Sequence, residues 1–372
     1  GAPAVGGLVV RNDVRSAVDA RMIDIRAEVG EDLLVLALES ASIEATLTGE
    51  TRSTAGAEEA PAEDPAEAAA EPAPDEAVAE DGTEPAAPTS LAVNGLIANN
   101  LVLSRADALV TGSEIVVGGD AEVLADNLST ITADNSASME SDGSAIGVVL
   151  AFNTIGWESQ NIFSNSINAL LGTNFGAKAQ PAQVRARLVD SDAAVGGDLR
   201  VQAGAVDEDD PDAQHGAVIL STISNEASAG GGSASASFVL ATNKIATDSL
   251  AWVSPFVDGP TTLAAGAAAP ARVQVSAGGD LSVLARDSAI IGADVSLSAT
   301  SGGGAAIGGL AVTNDLRGGV RAGVDYAEVE AGGSLTVEAL EIARLSAVAS
   351  GVTETLPEAT AEEAGTDADP AA

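Results

Sequence analysis

At 372 residues the chain could hold two or three ordinary domains, but its 46% hydrophobic content is mostly Ala, Val, Leu and Ile, with 2% aromatics and 40 glycines. Such small side chains suit thin, layered packing better than a thick globular interior. A net charge of -39, from 55 acidic and 16 basic residues, repels nucleic acid and anionic membrane surfaces and would concentrate hard cations such as calcium. Cysteine is absent, which removes disulfides, thiolate metal ligands and cysteine nucleophiles. No run of about 18 apolar residues is present to form a helical membrane span.

The first patterned segment, Leu8-Val9-Val10-Arg11-Asn12, is apolar and runs into an asparagine. Comparable segments end at Asn99, Asn153, Asn243 and Asn314. An asparagine at an equivalent bend of successive turns can bond the backbone there and its neighbour's amide, so these residues are read as structural.

A second element follows each asparagine: a glycine corner closed by Asp32, Asp120, Asp198, Asp280 or Ser334, within Gly-Gly-Asp-Leu-x-Val-x-Ala or a close variant. Residues three and five before this anchor are apolar in all five copies, as Val29 and Ala27 are in the first. Positions one, three and five after it are also apolar, as in Leu33, Val35 and Ala37. Alternation on both sides of a glycine pair predicts strand, tight turn, strand, with glycine supplying φ > 0 and Asp an Asx-type turn.

The alternation resumes at Ile43, Ile131, Ile291 and Leu345, eleven residues past the anchor. In the third copy an acidic stretch, Asp207-Glu208-Asp209-Asp210-Pro211-Asp212, intervenes, and the strand is expected to resume near Ile223 after about 14 extra residues. From Asp280 to Ser334 the step is 54 residues without interruption. Longer steps elsewhere reflect insertions: an acidic Ala/Pro-rich segment at 50–90, loops at 157–176 and 252–269, and an acidic tail at 352–372. The first and last have compositions that predict disorder.

Repetition at this period means a stacked array. Helical periodicity is lacking, and Ala/Val/Ser alternation with abundant glycine predicts an all-β parallel β-helix, or β-solenoid, of about five 54-residue units over residues 1–351. Strands of about five residues would give each unit two or three rungs, hence 10 to 15 rungs and a rod about 50 to 70 Å long.

Units of the form apolar-Asn-Asp-x-Arg, then Val-x-Ala, then Ala-Gly-Gly-Asp-Leu-x-Val-x-Ala resemble repeats of leukotoxin-type filamentous adhesins, large surface proteins of Gram-negative bacteria. Residues 308–317 with 331–335 match best, and residues 8–36 are close behind. The resemblance covers about two thirds of the chain. It implies a secreted or surface-displayed β-helical stalk that meets a host or neighbouring-cell component and further repeats of its own polypeptide, and it transfers no catalytic residues. Gly1 opens the chain without Met or a leader-like stretch, as in an excised or processed segment.

Little in the residues points to catalysis. His215 is the only histidine and lies in the acidic loop, so neither an imidazole-rich zinc site nor a Ser-His-Asp arrangement is expected. The chain is read as a non-enzyme; a β-helical polysaccharide-acting enzyme and a calcium-stabilised secreted repeat protein are the alternatives. Asp207, Glu208, Asp209, Asp210 and Asp212 are the candidate calcium ligands, with a plain acidic surface loop as the competing reading. Trp157, Phe163, Phe175, Trp252 and Phe256 concentrate the large aromatics in the two loops. They are candidates for a recognition patch or for bracing the outer wall.

Overall fold

The computed structural model describes residues 2–54, 90–158, 178–204, 216–257 and 270–357. Among these every named element is a strand, and every pairing between strands is parallel. The strands make three sheets, which the chain visits in fixed order five times.

The first circuit is β1 (Ala4–Ile23) in sheet I, β2 (Arg26–Val29) in sheet II, then β3 (Leu33–Glu39) and β4 (Ser42–Ser53) in sheet III. The second is β5 (Leu91–Thr111), β6 (Glu114–Val117), β7 (Ala121–Asn127) and β8 (Thr130–Ser141). In the third, β9 (Ser144–Ile155) and β10 (Ala182–Val189) share the sheet I position, followed by β11 (Asp192–Val195), β12 (Leu199–Ala203) and β13 (Ala217–Ala229). The fourth is β14 (Ser235–Ser254), β15 (Val273–Ala277) and β16 (Leu281–Gly302). The fifth is β17 (Ala306–Arg317), β18 (Val320–Val324), β19 (Ala327–Ala331) and β20 (Leu335–Leu356).

Each 54-residue unit therefore makes one circuit, where two or three short rungs were expected. Leu281 pairs with Leu335 and Val273 with Ala327, a 54-residue offset. Strands of up to 22 residues explain the difference: alternation continues through the Ser- and Thr-rich stretches that look like turns when read locally. Five circuits at about 4.8 Å span only about 19 Å between the first and last, whereas a 20-residue strand is about 65 Å long. The long dimension lies along the strands.

Period-two burial shows how the circuits close. Sheets I and III face each other over most of their length and bury three clusters of small aliphatic residues. Sheet II joins them at one end, where Ile115, Val117, Val195 and Val275 enter the largest cluster. Asn100, Asn153 and Asn243 are fully buried between two of these clusters. Their amides form a ladder: Asn12 Nδ2 donates to Asn100 Oδ1 (2.8 Å), Asn100 to Asn153 (2.8 Å), Asn153 to Asn243 (2.9 Å) and Asn243 to Asn314 (2.9 Å). The ladder uses Asn100 and not Asn99, and it lies within strands and not at a bend. An amide is the side chain whose donor and acceptor both repeat along the stack, so each buried group is satisfied by the next circuit.

The glycine corner lies between sheets II and III, as the alternation predicted, but φ > 0 is not its cause. None of Gly118, Gly119, Gly196, Gly197, Gly278, Gly279, Gly332 and Gly333 has positive φ. A β-carbon on Gly118, Gly196, Gly278 or Gly332 would overlap the carbonyl oxygen of the glycine one circuit earlier. On the second glycine it would overlap Oδ1 of the preceding circuit's Asp. That oxygen is in use: the backbone N–H groups of Asp120, Asp198, Asp280 and Ser334 donate to Oδ1 of Asp32, Asp120, Asp198 and Asp280 at 2.9, 2.8, 2.8 and 2.6 Å. Asp thus links circuits and makes no local turn of its own. Positive φ occurs instead at the corner between sheets I and II, at Asp24, Gly112, Asp190 and Tyr326.

Several insertion boundaries also move. Ile131 pairs with Ile219, not Ile223; the register offset rises from 78 at Leu199 to 88 at Ile219, so the acidic interruption adds ten residues. Strand β4 continues through Ser53, inside the segment expected to be disordered from residue 50, and β20 continues to Leu356, past the expected boundary at 352. Residues 55–89 and 358–372 lie outside the described residues.

The corner geometry sets a graded test. Gly196→Ala should cost about 2–4 kcal/mol, because the new methyl overlaps backbone that cannot rotate away. Gly30→Ala should be nearly neutral, since nothing lies within 4 Å of a β-carbon there. Denaturant midpoints of the two variants check this; equal losses would show that backbone crowding is not the reason for the glycines.

Candidate functional site

Inward positions of sheet I are filled by Val, Ala and Met, so Asp19, Arg21, Arg105, Asp107, Arg185 and Arg187 are thrown to the outer face by strict alternation. With Asp248 on β14 and Arg321 on β18 they form two neighbouring ion-pair groups, Arg105–Asp19–Arg21–Asp107–Arg187 and Arg185–Asp248–Arg321. Arg187 grips Asp107 through Nη2 at 2.8 and 2.9 Å, with side chains 7% and 4% exposed. Asp19 accepts from Arg21 and Arg105 at 2.9 Å, and Asp248 from Arg321 at 2.8 Å with Arg185 at 3.7 Å. Five guanidiniums around three carboxylates leave this patch locally positive on a strongly negative chain, a surface suited to an anionic group.

Aromatic residues frame the same face. Trp252 was expected in a loop but belongs to β14, is 7% exposed, and lies across Gly323, where a β-carbon would overlap its ring. Its side chain points outward because Ala251 and Val253 occupy the inward positions. Beyond β14, Arg187 Nη1 donates to Val257 O at 2.7 Å, which ties the departing chain to the sheet. Phe256 meets Tyr326 edge-on, centroids 5.5 Å apart. Trp157 is 2% exposed, with Lys244 Nζ 5.2 Å and Arg317 Cζ 4.9 Å from its ring centroid. Burial lowers the Lys244 pKa; Asp315 opposes the shift and Arg317 adds to it. Both tryptophans therefore brace the wall, with Lys244 and Arg187 buried beside them and Arg317 reaching solvent.

Phe163 and Phe175 lie outside the described residues, as do Asp207, Glu208, Asp209, Asp210, Asp212 and His215. Among the described residues no group of three His, Asp or Glu is placed to hold a metal ion. On the opposite wall, register aligns Thr48, Ser136, Ser224, Ser296 and Ser350, one hydroxyl per circuit, beside Glu50 and Glu226.

One polar layer inside the molecule escaped the sequence reading. Ser16 donates to Glu39 (2.5 Å), Ser104 bonds Asn127, and Thr247 donates to Asp287 (2.5 Å), all between sheets I and III. The available signal was a polar residue at an inward position of each strand. Asp287 is pushed up to about 6, chiefly by burial, with the charges of Glu341 and Asp248 adding and hydrogen bonds from Thr247 and Ser288 opposing. Glu39 is raised as well, again by burial, against hydrogen bonds from Ser16 and the Ala41 backbone.

No family model, no curated protein and no solved structure matches this chain.

The carboxyl layer predicts a pH dependence. A carboxyl whose folded pKa is raised stabilises the fold below its unfolded pKa of 3.8 and loses that contribution as pH rises through about 6. The change attributable to Asp287 is about 3 kcal/mol. Melting temperature should therefore fall between about pH 4 and 7, and Asp287→Asn should flatten that decline. An unchanged slope in the variant would remove Asp287 as its source.

Proposed function

We propose that the five circuits form one β-solenoid and that the chain is a structural and adhesive segment of a secreted or cell-surface protein. Its role in this reading is to hold the inserted segments and the arginine-bearing wall away from an underlying surface. The observation that carries the proposal is the parallel pairing of each circuit with the next in all three sheets, to which the buried Asn and corner Asp ladders belong. A scaffold needs that continuity, whereas catalysis needs convergent polar groups in a cleft. The likeness of the repeat units to filamentous adhesin repeats supports the surface location. Calcium stabilisation and a polysaccharide-acting enzyme remain the competing readings; neither gains a specific observation from the described residues.

Binding of the full chain to immobilised bacterial and epithelial cells should be saturable. It should fall at least about tenfold when residues 159–177 and 258–269 are replaced by Gly/Ser links, with the β-type circular dichroism spectrum retained. A spectrum dominated by helix would sink the scaffold reading. Absence of binding by the intact chain would sink the adhesive part.

A further inference from the structure

The two ends of the array depart from the repeat at positions that would meet. The first circuit carries Glu31 where the other four have the second corner glycine, and the fifth carries Ser334 where the other four have Asp. Each departure alone breaks the stacking rule. A side chain at position 31 would collide with an Asp carboxylate in any circuit beneath it, because a β-carbon at this position overlaps the preceding Asp Oδ1. Ser334 has no such oxygen. Its Oγ would stand near the place of an Asp Cγ, which lies 3.2 Å from that β-carbon at Gly279 and 3.3 Å at Gly333. Gly30 keeps the first glycine although nothing within the chain lies within 4 Å of a β-carbon there. A circuit ending in Ser334 would use that glycine, because the carbonyl beneath it would be the one from Gly332.

We propose that copies of this chain stack head to tail, the first circuit of one copy adding in parallel to the open edge of the fifth circuit of the next. Strand pairings carry the register through the array: Ala4 aligns in turn with Ala92, Ala145, Ser235 and Ala306, and Leu33 with Ala121, Leu199, Leu281 and Leu335. Residues 4–53 and 306–355 thus share a constant offset of 302 with no insertion in either. In that register the exposed apolar residues of the two ends meet: Val5 (76% exposed) over Ile307 (52%), and Leu38 (51%) over Leu340 (41%). Asn12 would extend the amide ladder from Asn314.

Charges also match. Arg26 and Arg52, which reach up to Glu114 (3.3 Å) and Glu140 (2.7 Å) in their own chain, would each gain a second carboxylate, Glu328 and Glu354, and Asp19 would stand over Arg321. The strand edges supply the backbone part: among the described residues β1 and β20 are each paired on one side only, which leaves the N–H and C=O groups of alternate residues along their 20 and 22 residues without a strand partner, the feature that sheet proteins otherwise block. Because the two surfaces differ, the contact is heterologous and leads to an open filament, adding about 24 Å per copy at five strand spacings.

Sedimentation velocity and negative-stain microscopy of the full chain test it, in about 1 M salt, where a Debye length of about 3 Å screens the repulsion between acidic copies. Wild type should lengthen with concentration in steps of about 24 Å. Ser334→Asp should lower the association constant at least about tenfold, and adding Glu31→Gly to the same chain should restore it. Melting curves taken at low concentration, where copies are separate, should be the same for all three, since neither residue has a circuit against it on that side. A chain that stays single at every concentration, or a Ser334→Asp variant that associates like wild type, overturns the proposal.

Discussion

Everything in this molecule depends on the spacing between paired parallel strands. At about 4.8 Å two backbones pass so closely at the corner between sheets II and III that a β-carbon has nowhere to go. Glycine is the only residue that lets the chain turn there and remain in register. The Asp that follows fixes the vertical contact, its carboxylate accepting an N–H from the circuit above. Conformational freedom at positive φ, the usual reason for a corner glycine, plays no part at this corner.

The same spacing dictates the interior. With sheets I and III face to face, the core is made of Val, Ala, Leu and Ile repeated in vertical rows, and a residue fits only if it tolerates its own kind directly above. Aliphatic side chains do, and so does Asn, whose amide gives to one neighbour and receives from the other. Carboxylates do not, because like charges stack in a dry layer. Burial is the main reason that Asp287 holds its proton to about pH 6, and the charge of its vertical neighbour Glu341 adds to the shift. The large aromatics Trp157 and Trp252 lie on the outer wall of sheet I, where Lys244 and Arg317 stand over the ring of Trp157 and Gly323 gives Trp252 room.

Alternation around the glycine corner was legible without coordinates, because period-two burial leaves its mark on each residue separately. Val29, Leu33 and Val35 could be assigned to inward positions from their spacing alone, and the structure places them there. The extent of the strands was not legible. In the stretch Ser42 to Ser53 the alternation stands out only in the first half, as at Ile43 and Ala45, because Gly49, Thr51 and Ser53 take buried positions further on, yet all of it forms a 12-residue strand since neighbouring circuits supply its hydrogen bonds. Trp252 looked like part of an insertion for the same reason: its outward position depends on β10 and β18 flanking it. The ion pair of Arg187 with Asp107 joins residues 80 apart, and nothing local marks either one.

By itself the sequence determined that the protein is a β array with five repeats of 54 residues, because repetition and alternation are properties of the chain read in order. Tertiary structure decided that one repeat makes one circuit, that Asn100 and not Asn99 joins the ladder, and that the corner glycines answer to a neighbour's backbone. Each of these depends on which residue lies one circuit away, and that distance along the chain changes with every insertion. Local pattern sets the face a side chain takes; only the stacked backbone sets what it meets there.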